Sequence, residues 1–421
     1  MSMSSVATAP RHEFAAEADL QGAEVLILSA YYHPEPTGSA PPIADLSFWL
    51  AENGANVTVV TARPNYPARQ VFEGYRRGER DRETVRGVRV ERLAAHVARG
   101  SGLISRFRTE FSVFARLCAA RAIGRARPAP NVICVCPSVF VVVAANLFRR
   151  PGGRTLCIVH DIQSGLARGL KFGSAGLVLG ALRRLEAWAY NRCEVLIALS
   201  DGMAIELRQL GVRRPIVVLP PQVDIRELMP LPEPAGAPPV LLYSGNLGRK
   251  QGLDQVLELA GVLLARGSPA RIVIRGEGSE RAPLERQSAE RGLTNVVFQD
   301  LAPRDALARA MAEGLVHLVP QHPEGAAFSV PSKVFSIMGV ERPFLATAKP
   351  HTPLWEIANA SGGGLCVDPY DTQALADSAE RLLRDVDLRR RMGAAGRAYV
   401  ERNLDREVVC RRLWRALRSA P

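Results

Sequence analysis

The residues able to do chemistry stand in short glycine- or proline-marked loops, each following a run of apolar residues. Residues 155–159 (TLCIV) lead into His160-Asp161-Ile162-Gln163. An imidazole can donate or accept near neutral pH, and the adjacent carboxylate is a candidate base or nucleophile. A loop histidine that merely caps its neighbour has the same pattern. Residues 240–242 and Tyr243-Ser244 precede Gly245-Asn246-Leu247-Gly248-Arg249-Lys250-Gln251-Gly252, a glycine loop carrying two cations before a helix. Backbone N–H groups plus a compact ammonium suit a diphosphate; a solvated turn is the plainer account. The spacing is not GxxxxGK[ST], which excludes a P-loop ATPase. Arg275-Gly276-Glu277-Gly278 repeats the arrangement, and Pro331-Ser332-Lys333 is a third loop entering a helix. Near the start, Pro34-Glu35-Pro36-Thr37-Gly38-Ser39 also precedes a helix. Free N–H groups and the helix dipole there favour an anion, and a tight turn would look alike. No full GxGxxG is present, so a dinucleotide site is not supported.

Lysine is scarce. Only positions 171, 250, 333 and 349 carry it among 54 basic residues. Lys250 and Lys333 both fall at expected helix starts, where the dipole disfavours a cation. An anion bound at the same place removes that penalty.

Residues 22–222 alternate short buried-type strands with amphipathic helices. Strands are expected at 23–28, 56–61, 87–93, 132–135, 155–159 and 195–199, with helices at 43–53 and 105–125. In the latter, Phe107, Phe111, Phe114 and Cys118 recur at helical spacing. Residues 228–239 carry five prolines and read as a stiff linker. The alternation restarts at 240 and runs to about 400, with a terminal helix over 401–421 expected to pack back on the first domain. Strand–helix alternation of this kind predicts two doubly wound α/β domains with parallel sheets. Ligands in such sheets bind at the strands' carboxyl ends, so a cleft between two facing domains is the expected site.

Composition narrows the class. Of 421 residues, 47% are apolar and 23% charged, which excludes a disordered or collagen-like chain. The most apolar stretch, 132–148, is too short and too interrupted to span a bilayer. Residues 1–21 lack the apolar core of a signal peptide and read as a disordered leader on a cytoplasmic protein. Seven scattered cysteines without CxxC pairs fit buried thiols rather than a disulfide framework or zinc site. The net charge of +12 is uneven. Residues 1–220 hold 28 basic and 18 acidic side chains, against 26 and 24 in the rest. The first half is therefore expected to meet something anionic. With 6% aromatics and no interleaving of basic and aromatic residues, nucleic acid is a poor partner.

The runs HPEPTGSA, LAENGANVTVVTARPNYP, VHDIQ, LEAWAYNRCEVLIALSDGM, YSGNLGRKQGLD, PSKVFSIMGVERPFLATA and GGGLCVDPYDTQALADSAERLLRD resemble the retaining, nucleotide-sugar-dependent glycosyltransferases of the GT-B fold, family 4. Within them the chain is similar to the exopolysaccharide branch that includes colanic acid biosynthesis glycosyltransferases. The resemblance implies that Gly38 lies under the donor phosphates, His160 beside the donor sugar, and Lys250 on the diphosphate. It places Glu277 and Asn295 near the nucleoside and Ser332 and Lys333 near the diphosphate or sugar. Family members often carry two glutamates eight positions apart; here those positions are Phe328 and Ser336. The usual arginine of the family's Gly-Arg loop is replaced by Asn246, with Arg249 close enough to substitute.

Retention through a glycosyl-enzyme needs a carboxylate nucleophile, for which Asp161 and Glu324 qualify only by position. Departure on the same face, with Lys250, Arg249 and Lys333 stabilising the leaving diphosphate, is the favoured route. No DxD-like pair stands at a strand end, so no obligatory metal and no cofactor beyond the nucleotide-sugar is expected. The expected acceptor is a glycan, polyprenyl-linked, at an anionic membrane surface. A sugar-nucleotide epimerase or a non-catalytic nucleotide-sugar binder are the rival readings.

Overall fold

A computed structural model describes residues 20–36, 38–66, 69–98, 103–136, 138–162, 176–234, 238–248, 251–303, 306–322 and 331–420. The first sheet holds eight strands: β1 (Glu24–Leu28), β2 (Asn56–Ala62), β3 (Arg82–Val85), β4 (Val88–Leu93), β5 (Ala129–Cys136), β6 (Arg149–Val159), β7 (Val195–Ala198) and β8 (Ile216–Val218). Their order is β3-β4-β2-β1-β5-β6-β7-β8. β1 pairs β2 in parallel, as do β2 with β4, β6 with β7 and β7 with β8, while β3 runs antiparallel against β4. The apolar runs in β1, β5 and β7 are almost wholly buried, as strands covered on both faces must be.

The second sheet is entirely parallel. It comprises β9 (Val240–Ser244), β10 (Arg271–Arg275), β11 (Val296–Gln299), β12 (Val316–Val319), β13 (Phe344–Thr347) and β14 (Gly364–Val367), ordered β11-β10-β9-β12-β13-β14. Strand order reverses between β9 and β12, the position where doubly wound sheets bind ligands. Helices cover both faces. The helix Thr372–Arg384 shows why: Leu375, Ala376, Ala379 and Leu382 form its buried stripe. The doubly wound α/β class read from the sequence is therefore the observed fold.

By compactness the chain divides into residues 1–133 with 147–153, and residues 134–146 with 154–421. Three arginines fasten the proline-rich segment to the second sheet. The buried Arg342 guanidinium donates to the carbonyls of Leu231 (2.8 Å) and Pro232 (3.1 Å). Arg389 pairs with Glu233 at 2.8 Å and 3.1 Å, and Arg397 donates to the Leu228 carbonyl at 2.7 Å. The last helix, Arg406–Ser419, buries Val409, Cys410, Leu413, Trp414 and Leu417. Its end is tied to β6 by Arg154, which donates to the Arg418 carbonyl at 2.6 Å. No helix among the described residues is long and apolar enough to cross a membrane.

Candidate functional site

The site grows from the carboxyl ends of β9, β10 and β12. Beyond β9 the chain turns through Gly245, and beyond β10 through Gly276 and Gly278. The two loops continue the ladder past the strands. Gly245 N–H donates to the Arg275 carbonyl (2.9 Å), Gly276 N–H to Gln299 (3.0 Å), Leu247 N–H to Glu277 (2.8 Å) and Glu280 N–H to Leu247 (2.9 Å). Contact is so close that a Cβ on Gly276 would stand 1.8 Å from the Gly245 carbonyl oxygen, and one on Gly278 2.3 Å from that of Leu247. Glycine is required because backbone approaches backbone.

Lys333 enters this floor from the helix Lys333–Gly339. Its Nζ lies 3.7 Å from the centre of the Tyr243 ring, and 3.0 Å from where a Gly245 Cβ would be. The amine is buried with no hydrogen-bond partner among the described residues, and burial draws its pKa from the usual 10.5 down to about 7. An aromatic face attracts an ammonium without neutralising it, so the amine stays available to an anion. Tyr243 is itself fixed, its hydroxyl donating to the Asn246 carbonyl at 2.6 Å. The loop after β12 closes the other side. Gln255 donates to the Gln321 carbonyl (3.0 Å), and Gln321 N–H donates to the Thr347 hydroxyl (3.1 Å).

His160 follows β6. Its N–H donates to the Cys136 carbonyl (2.8 Å), which holds the turn against β5. The Nε2 atom is buried without a hydrogen-bond partner among the described residues, and burial lowers the imidazole pKa to about 4. At pH 7 it is neutral. Asp161 beside it is exposed, and its carbonyl accepts from the Cys136 thiol at 3.6 Å.

Gly38 adopts φ +72°, and a Cβ there would lie 4.0 Å from Tyr66. Buried Glu35 organises this loop by accepting 2.8 Å bonds from the N–H groups of Tyr32, Asn65 and Tyr66. Its pKa nonetheless lies above the usual value, because desolvation outweighs those bonds.

The structure brings Gly245, Asn246, Glu277 and Lys333 into one floor. Ser332 stands at the N-cap position of the Lys333 helix, its side chain making no capping bond, and is exposed; Ser336 lies one turn further along it, half-buried. The exposed Glu277 carboxylate is paired with Arg281, which also holds Asp300 at 2.7 Å. Asn295 needs a correction. It precedes β11, at the amino edge of a parallel sheet, and its side-chain amide donates to the Ala260 carbonyl at 2.9 Å. That placement makes it a brace for the helix Asp254–Ala265, away from the strand ends that carry the glycine loops. Arg249, Lys250, Glu324 and Phe328 lie outside the described residues. Sequence reasoning missed Tyr243 and Arg281 because they sit in a strand and a helix whose patterns their neighbours already explain, and Gln321 because no glycine adjoins it in the loop after β12.

Comparison with known proteins agrees with this geometry. Residues 37–222 match the glycosyl transferase 4-like domain and residues 224–399 the glycosyl transferases group 1 family. WcaI of Escherichia coli K12, named as a glycosyl transferase of colanic acid biosynthesis, is 30% identical over 94% of this chain and all of its own. Sucrose-phosphate synthase from Thermosynechococcus elongatus superposes with a TM-score of 0.71 at 20% identity, covering 95% of this chain and 100% of that one. Anabaena HepE, solved with UDP-glucose, does so at 0.66 and 15%, covering 94% and 99%. With both domains matched across most of the chain, this protein belongs to the group 1 glycosyltransferases of the GT-B fold and is a nucleotide-sugar-dependent glycosyltransferase.

Proposed function

We propose that the enzyme moves a sugar, with retention at the anomeric carbon, from a nucleotide-sugar to a growing polyprenyl-diphosphate-linked oligosaccharide of an exopolysaccharide or other cell-surface glycan. The observation that carries the donor half is the Lys333 amine, buried against Gly245 and Tyr243 without a hydrogen-bond partner among the described residues. A buried amine so placed is satisfied by an anionic ligand, and the donor's diphosphate supplies one. HepE held UDP-glucose and WcaI is named for colanic acid synthesis, which supports a nucleotide-sugar donor and a surface polysaccharide product.

In the proposed reaction the bond from the anomeric carbon to the diphosphate breaks. The acceptor oxygen bonds on the same face, and its proton passes to the departing phosphate oxygen. Lys333, with Lys250 and Arg249, takes up the charge that develops on the diphosphate, so no metal is required. Neutral His160 accepts or donates a hydrogen bond to a sugar hydroxyl, and Asp161 sits beside it. Glu277, through Arg281, borders the nucleoside, with Gly245, Asn246, Ser332 and Ser336 along the diphosphate and sugar.

The lipid acceptor would bring the reaction to a membrane. The helix Leu103–Ala122 exposes Phe107 (55%) and Phe111 (48%), stacked at 6.0 Å, on a chain half with a large basic excess.

The test is a thermal-shift panel of UDP- and GDP-sugars, then product analysis with the donor that binds. A donor at 100 times its dissociation constant adds about 2.7 kcal/mol of stability. Lys333→Ala should abolish that shift and lower turnover by at least about 100-fold. An epimerised sugar from donor alone, or full turnover in Lys333→Ala, would overturn the reading.

A further inference from the structure

Three thiols meet in the interior of the first sheet. The Sγ atoms of Cys134, Cys157 and Cys193 all lie within 4.8 Å of one another, and each residue is fully buried. Cys134 is on β5, Cys157 on the adjacent β6, and Cys193 on the turn that leads from the helix Gly176–Tyr190 into β7. Burial, then hydrogen bonds with the other two, holds the Cys157 thiol well above the usual range. The mechanism above uses none of them: Cys134 and Cys157 lie within strands and Cys193 at the entry to β7, away from the strands' carboxyl-end loops that carry the chemistry. Two thiols would suffice for a disulfide. Three converging from separate elements match a ligand that takes three sulfurs.

Charge then selects the ligand. Sulfur binds as thiolate, and soft thiolates favour soft elements. Three thiolates around copper(I) leave two net negative charges, and around zinc or cadmium leave one. Around trivalent arsenic they leave none. A net charge in a dry interior is costly.

We propose that Cys134, Cys157 and Cys193 form a three-thiol binding site for a soft, thiophilic element, matched best by trivalent arsenic. Arsenous acid gives up its three hydroxyls, which leave as water with the three thiol protons. Three As–O bonds break, three As–S bonds form, and arsenic stays trivalent, so no oxidant or reductant takes part. The occupied site straps β5, β6 and the entry to β7 together, raising the thermal midpoint.

The experiment exposes the full chain to arsenite in two arms, one folded throughout and one refolded from denaturant with arsenite present, so that burial cannot hide the site. Intact mass and thiol alkylation are then read. One arsenic per chain is expected, with the alkylation map showing Cys134, Cys157 and Cys193 as the protected thiols. Protection should be lost in Cys157→Ala and Cys193→Ala and kept in Cys366→Ser. Zinc and cadmium, tested alone, should bind at least tenfold more weakly. Absence of arsenic in both arms, a disulfide in its place, or protection of other cysteines overturns the site. Tighter cadmium than arsenite overturns the charge argument. The wild-type alkylation map decides the matter even if a variant fails to fold.

Discussion

Lys333 holds its buried amine over Tyr243 with no hydrogen-bond partner among the described residues, and the fold bears that cost. Its pKa is about 7 in the folded chain against 10.5 for an ordinary lysine, so between those values the unfolded chain binds a proton that the folded chain does not. Stability therefore gains with rising pH across that window and is lowest, on this account, below pH 7. Replacing Lys333 with Met should raise the melting temperature of the ligand-free protein at pH 7 and flatten this pH dependence, while removing nucleoside diphosphate binding. Denaturant titrations at pH 7 and 9 check it; a variant less stable than the parent at pH 7 would contradict it. His160 gives a different signature. With a pKa of about 4 it stays neutral above pH 5, so it contributes no acid limb to the rate near pH 6.5. His160→Ala should lower kcat about 10- to 100-fold, the loss of one hydrogen bond in the transition state, with UDP affinity within about twofold of the parent by calorimetry.

At the scale of elements, the glycine loops are set by backbone contact. Gly276→Ala drives a Cβ into the Gly245 carbonyl, so it should cost about 1–3 kcal/mol and weaken donor binding at the same time. Denaturation and thermal shift with the donor measure the two losses. These loops were legible in the sequence because glycines after short apolar strands announce a turn. Other elements were not. The β3–β4 hairpin turns on Arg86 and Gly87, both at positive φ. An arginine in that conformation carries none of the usual Asn-Gly signal; it is held by its ion pair with Glu52 and by stacking on Phe48. The helix Val139–Phe148 is buried over most of its surface, so it lacks a polar face to reveal its period. Asn295 was misplaced because a residue next to a strand can lie at either edge, and only the chain direction in the sheet decides which.

For the whole molecule, the basic excess of residues 1–220 predicts salt-sensitive attachment to anionic lipid. Each basic residue close to such a surface adds about 1 kcal/mol, and salt screens it. Co-sedimentation with phosphatidylglycerol vesicles should be strong at low salt, weak at high salt, and reduced when Arg106, Arg108 and Arg116 become Glu. Equal binding to neutral vesicles, or none at low salt, would favour a water-soluble acceptor.

The same arginine bias has a consequence for reactivity. Only four of the 54 basic side chains are amines, and guanidinium groups do not form imines with aldehydes under mild conditions. An amine with a pKa of about 7 is half unprotonated at neutral pH, hence nucleophilic when ordinary lysines are not. Pyridoxal 5′-phosphate, an aldehyde that carries its own phosphate, should condense with Lys333 at pH 7 with loss of water, ahead of Lys171 and Lys349. Borohydride trapping and peptide mapping would locate the adduct, and excess UDP should protect against it. Labelling first at Lys349, unaffected by UDP, would show that the amine over Tyr243 is not the reactive one.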